Sequence, residues 1–214
     1  MHVAAAILGL VLGAVVGPLA DRLATNAPRH DPLLASTPRS ARFVLVTAAT
    51  ALLGAACGLD FGLTFEALIA AVFCWLLVVV TRTDLEQRLI PNTIVLPGAV
   101  VVLVSRTVDD PSVVWLLAAL AAAAFLFVFV LVYPAGIGMG DVKLALLMGA
   151  ALGSSVAVAL FVGFAASFVP AVVLLARHGR AALKQGIPLG PFLALGSVVA
   201  LFAGGAILGW YTSY

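Results

Sequence analysis

The sequence predicts an all-α, polytopic membrane protein: a bundle of about eight transmembrane helices forming one domain over residues 1–214. Three observations lead there. Hydrophobic residues make up 64% of the 214 residues and charged residues only 9%, whereas a soluble domain carries roughly 25% charged residues to face water. Mean hydropathy is +1.24. The apolar residues also fall into runs near the ~20 residues that a spanning helix needs. Together these exclude a soluble enzyme, a disordered chain and a nucleic-acid binder.

The expected segments are 3–20, 43–59, 64–81, 93–105, 112–133, 141–153, 155–176 and 189–211. The first has no basic residue before its apolar run, and its nearest positive charge, Arg22, follows it. That pattern predicts an uncleaved first helix with its N-terminus outside. The polar stretch from Asp21 to Arg42 holds Pro28, Pro32 and Pro38 and reads as a loop. The second and third segments each carry one cysteine, Cys57 and Cys74. The two form no CxxC and read as small buried hydrophobes. The fourth and sixth segments are short for a span, and are expected to tilt, to extend into flanking residues or to be covered by neighbours. Trp115 opens the fifth, and Trp210, Tyr211 and Tyr214 close the eighth, where interfacial aromatic belts belong.

With the N-terminus outside, the inner loops collect ten of the eleven basic residues, and only Arg106 falls outside. This asymmetry agrees with the positive-inside rule and predicts both chain termini outside. Asp60, Glu66, Asp109 and Asp110 fall on the outer side.

Few polar residues remain to carry chemistry, and two inner-side segments hold most of them. One runs from Thr83 and Asp84 to Ile90, Pro91 and Asn92; the other runs from Gly136 through Gly138, Gly140 and Asp141 to Lys143. Taken singly, Asp141 reads as a helix N-cap, and Glu86 and Arg88 as ordinary loop charges. The glycines shift the balance, because they allow unusual backbone angles and close approach of another chain. Two carboxylates brought together in a partly dry site cannot both ionise cheaply, so one keeps its proton while the other acts as base. Such a pair can activate water against a peptide bond.

In this pattern the chain resembles the type IV prepilin peptidases, aspartyl membrane proteases of the GxGD class. Asp84 with Ile90-Pro91-Asn92 is similar to the family's first motif, and Gly138 to Lys143 to its GxGD motif followed by a hydrophobic residue and lysine. A third match is Ile187-Pro188-Leu189-Gly190-Pro191-Phe192-Leu193-Ala194, with Leu189 where the family has an aromatic residue. The resemblance implies a membrane-embedded endopeptidase that removes the leader from prepilin-like precursors, with Asp84 and Asp141 as the catalytic pair. Gly138, Gly140, Lys143, Pro91 and Asn92 would support them. Pro188, Gly190 and Pro191 would shape a substrate groove or simply start the last helix. It further implies a bacterial inner-membrane location with both aspartates on the cytoplasmic side, the lipid bilayer and prepilins as partners, and no nucleic acid. No metal or other cofactor is required. Many members carry a cysteine-rich cytoplasmic insertion and methylate the product. Here the corresponding loop holds no cysteine, so a peptidase-only short form is expected.

Helix ends suggest an asymmetry within the pair. Asp84 is expected near a helix C-terminus, which favours its protonated form, and Asp141 at a helix N-terminus, which favours its ionised form. Other protease chemistries lack their residues. There is no HExxH and no GxSG, and His2, His30 and His178 lie at the N-terminus and in inner loops. Thr83 stands where the presenilin branch of the GxGD class has tyrosine. The rival readings are a small proton- or ion-coupled transporter and an inactive assembly scaffold.

Overall fold

The structure is a computed structural model that describes residues 2–24, 39–132, 136–178 and 188–213. These residues form eight α-helices: α1 (His2–Ala24), α2 (Arg39–Phe61), α3 (Phe65–Gln87), α4 (Asn92–Asp109), α5 (Val114–Val132), α6 (Met139–Leu152), α7 (Val156–His178) and α8 (Gly190–Thr212). A 3₁₀ turn, Gly153–Ser155, joins α6 to α7. Each expected segment has become one helix. Seven stretches are long and apolar enough to cross a membrane, because α6, the turn and α7 run as one stretch, Met139–Leu174.

The differences from expectation lie at helix ends. The polar stretch 21–42, expected as loop, is helical at both ends: α1 runs to Ala24 and α2 starts at Arg39; residues 25–38 lie outside the described residues. His30, Ile187, Tyr214 and three of the inner-loop basic residues, Arg29, Arg180 and Lys184, also lie outside them. The third segment extends to Gln87, so Glu86 is a helical residue and not a loop charge. Its carboxylate is buried and pairs with Arg42 and Arg82, each at 2.8 Å. The helix stops at Arg88, whose φ of 52° is left-handed, a common way to end a helix. Pro91 follows and starts α4.

Small residues set the α1–α2 contact. Gly9, Gly13 and Gly17 lie at four-residue spacing on α1 and face Gly54, Thr50 and Thr47 of α2. A β-carbon at Gly9 would fall 2.1 Å from the Gly54 carbonyl oxygen, and one at Gly13 would fall 2.5 Å from that of Thr50. Close backbone approach of this kind is how helices pack when lipid offers no hydrophobic drive. Cys57 and Cys74 are buried free thiols, their sulfurs 3.9 Å apart between α2 and α3.

The core lies around α3 and α6. From Val142 to Leu152 nearly every α6 side chain is buried, and it packs with Phe73, Leu77, Val95 and Leu193 of neighbouring helices. At 14 residues α6 is only ~21 Å long at 1.5 Å per residue, against a hydrocarbon core near 30 Å. Cover from neighbouring helices makes the short helix acceptable, since its ends meet protein instead of lipid.

At the opposite end of α6 from Asp141, the one basic residue expected outside serves as a tie. Arg106 of α4 is buried and donates to the Ala151 carbonyl of α6 at 3.1 Å. It also pairs with Glu66 of α3 at 3.1 Å and lies 4.9 Å from the Trp115 ring centroid of α5. Arg106→Gln removes all three contacts, and about 2–4 kcal/mol of stability is expected to go with them. Thermal unfolding in detergent should show a lowered midpoint for this variant and an unchanged one for Asp109→Asn, whose side chain is exposed.

Candidate active site

Asp84 sits in the last turn of α3, one turn before the left-handed stop at Arg88, whose N–H bonds the Asp84 carbonyl. Its side chain is buried, with 6% of the residue exposed. Desolvating a carboxylate requires hydrogen-bond donors. Asp84 Oδ2 accepts one from the Gly190 N–H, at 2.9 Å. Gly190 is the first residue of α8, and its amide is one of the donors that a helix start leaves unpaired. The glycine is needed sterically as well: a β-carbon there would lie 2.7 Å from Asp84 Oδ2.

Asp141 is also buried, with 9% exposed. It was expected as a helix cap, but α6 begins two residues earlier, with Gly138 as the capping residue. Asp141 is the third helical residue, and its Oδ2 accepts the Gly138 N–H at 3.0 Å. This is the carboxylate half of a capping box. The motifs that carry the two acids touch through Ile90 against Gly140 and through Lys143 on Asn92. The helix ends are as expected, Asp84 in the last turn of α3 and Asp141 in the first turn of α6, but Asp84 also faces the N-terminus of α8. Each acid therefore accepts an amide hydrogen at the start of a helix.

The supporting residues of the two motifs touch directly. Ile90 packs against Gly140, where a β-carbon would lie 2.9 Å from the Ile90 β-carbon. Gly140 is thus small because Ile90 crosses there. Gly138 has no such crowding, since its nearest side-chain atom would be Asp141 Oδ2 at 3.6 Å. Lys143 Nζ donates to Asn92 Oδ1 at 2.8 Å, so the lysine binds the first motif across the α4–α6 junction. Asn92 is the first residue of α4, and Pro91 precedes it as the cap. Thr83 is buried, and its hydroxyl bonds the carbonyls of Val79 and Val80 within its own helix. Pro188 and Leu189 lead into α8, with Pro191 in its first turn. Sequence reasoning missed the Gly190–Asp84 bond and the Arg42–Glu86–Arg82 cluster beside it. Only the Gly-Pro helix start signalled the first, and no local pattern signalled the second.

The fold and these contacts define a class: a polytopic helical membrane protein with two buried carboxylates, from separate helices whose motifs touch, each held by the amide of a helix start. The family comparison then gives the identity. A model of the type IV leader peptidase family matches residues 71–176, which include Asp84, Asn92, the GxGD run and Lys143. The chain is 36% identical over 167 residues to the prepilin leader peptidase/N-methyltransferase of Bacillus subtilis, covering 76% of this chain and 66% of that protein. It is 32% identical over 184 residues to the protein of the same name in Aeromonas hydrophila, covering 81% of this chain and 62% of the relative. The Legionella pneumophila protein of that name is 27% identical over 186 residues, with 83% and 64% covered. The chain belongs to the type IV leader peptidase family, and it spans somewhat under two thirds of the length of these curated relatives. No solved structure matches it.

The convergence of the two motifs can be tested without any assay of function. In a Cys57→Ala, Cys74→Ala background, Ile90→Cys combined with Gly140→Cys should form an intrachain disulfide on mild oxidation, because a small outward shift takes their β-carbons from 2.9 Å to the ~3.5–4.5 Å that the bridge spans. Mass spectrometry of the digested membrane protein should find the linked peptides. Pairing Leu96→Cys with Gly140→Cys should yield none.

Proposed function

We propose that this protein is a membrane-embedded aspartic endopeptidase that removes the leader peptide from prepilin-like precursors. The observation that carries the reading is the burial of Asp84 and Asp141, each tied to a helix-start amide, on motifs that touch each other within the matched family region. The pair shares one proton, because two adjacent carboxylates in a desolvated site resist double ionisation. Water between them is the nucleophile. The ionised carboxylate takes a proton from the water as its oxygen attacks the scissile carbonyl carbon. The protonated carboxyl gives its proton to the carbonyl oxygen, forming a neutral gem-diol. On collapse, the C–N bond breaks, the amine leaves with a proton returned through the pair, and the leader ends in a new carboxylate. One water is consumed and the enzyme is regenerated.

The remaining residues hold this pair in place. Gly190 and Gly138 amides fix one oxygen of each acid, which leaves the other oxygens for water. Gly140 admits Ile90, and the Lys143–Asn92 bond braces the second motif against the first. The distribution of basic residues supports a cytoplasmic position for the acids, with both termini outside, in a bacterial inner membrane. The relatives are named for two activities, and we assign this chain the peptidase alone. Its two cysteines lie in α2 and α3, so the stretch between α1 and α2 holds none.

Co-expression with a prepilin substrate tests the reading. Asp84→Asn and Asp141→Asn should each lower cleavage by at least ~100-fold at matched protein levels, in line with loss of a general acid or base. The wild-type product should begin just after the leader, and its mass should carry no added methyl group. Cleavage that persists in either Asn variant would remove that aspartate from the mechanism.

A further inference from the structure

The end of α3 that carries Asp84 is polar and yet buried: Arg82, Thr83, Asp84, Glu86 and Gln87 are all largely withdrawn from solvent. Buried polar groups need partners, and the last turn of a helix frays easily. Some partners lie within the helix. The Thr83 hydroxyl bonds carbonyls one turn back, and Arg82 pairs with Glu86 at i,i+4. Such bonds support the helical form but do not place the turn against its neighbours.

Two contacts from other helices do place it. Gly190 of α8 donates to Asp84, and Arg42 of α2 donates from Nη1 to Glu86 Oε1 at 2.8 Å. A helix turns about 100° per residue, so side chains two positions apart point in nearly opposite directions. Asp84 is drawn toward α8 and Glu86 toward α2, and the turn is held between them. The side chains of Arg42 and Glu86 are 12% and 6% exposed, so water screens their attraction little. Arg42 keeps this bond although its Nε is buried without a partner, a loss that the ion pair outweighs. Val46, one turn further along α2, packs on Val79 of α3, which continues the same contact.

We propose that Arg42 is a positioning residue for the reaction proposed above. Through Glu86 it holds the last turn of α3 against α2, and so keeps the Asp84 carboxylate on the Gly190 amide. Arg42 lies outside residues 71–176, the stretch that the family model matches. The first pair of helices thereby takes part in the site as well as enclosing it. The effect on rate rests on the peptidase reading; the hold on the turn does not.

Hydrogen exchange of the detergent-purified full chain, together with steady-state kinetics on a prepilin substrate, tests this for Arg42→Gln and Arg42→Lys. In Arg42→Gln the amides of residues 84–88 should exchange at least ~10-fold faster, with those of α6 unchanged. kcat should fall by ~10- to 100-fold, as a misplaced reacting group costs, while KM stays near wild type. Arg42→Lys, which keeps a positive charge opposite Glu86, should recover most of both. Adding Arg42→Gln to Glu86→Gln should cost nothing further, because the arginine acts through the glutamate. Should Arg42→Gln fail to fold, Glu86→Gln breaks the same pair and carries the same expectations. Wild-type exchange at residues 84–88, or a wild-type kcat, would overturn the proposal. So would faster exchange throughout the bundle with kcat per folded molecule unchanged, the mark of a purely structural role. A wild type that cleaves no prepilin would defeat the peptidase reading instead, and exchange alone would then decide the tie.

Discussion

One hydrogen bond organises this molecule: the Gly190 amide at the start of α8 donating to the Asp84 carboxylate at the end of α3. It spans 106 positions of sequence and closes the last helix onto the third. A buried carboxylate without donors costs several kcal/mol, and a helix start has donors without acceptors. Each group supplies what the other lacks, and the pairing works only if residue 190 has no side chain. The placement of Asp84 and the seating of α8 on α3 follow from that contact.

The second acid is held by the same physics within a single helix start, through Gly138. What joins the two halves is local packing: Ile90 in the space left by Gly140, and Lys143 on Asn92. Short α6 suits this arrangement because it is enclosed by other helices along its length. The Arg106 tie holds the far end of α6 to α3, α4 and α5. The buried charged groups thus sit near the two ends of the bundle, with a largely apolar core between.

Much of the architecture was legible in the sequence, because a spanning helix needs a long apolar run and little else. All eight runs became helices, and the errors lie where polar residues continue a helix. Arg82, Glu86 and Gln87 looked like a loop, yet they complete α3 because Glu86 finds Arg42 on another helix. Such partners are 44 residues apart and leave no local signature. The carboxylates themselves were legible from the glycines and prolines beside them. The donor that holds Asp84 was not, since a Gly-Pro pair before an apolar run also marks any helix start. The expected difference between the two acids omits that donor for the same reason: a helix-end argument built on neighbours in sequence cannot see the N-terminus of a helix that arrives from the far end of the chain.

The most direct test of this account is the steady-state kinetics of Gly190→Ala on a prepilin substrate in reconstituted membranes. The added methyl group must push the Asp84 carboxylate from its amide, and a displacement near 1 Å can cost ~100-fold in rate. kcat should fall by about that factor and the thermal midpoint should drop with the lost amide bond, while KM stays near wild type. A Gly190→Ala protein that cleaves at the wild-type kcat would contradict it, because the amide of α8 would then have no part in holding the acid for reaction.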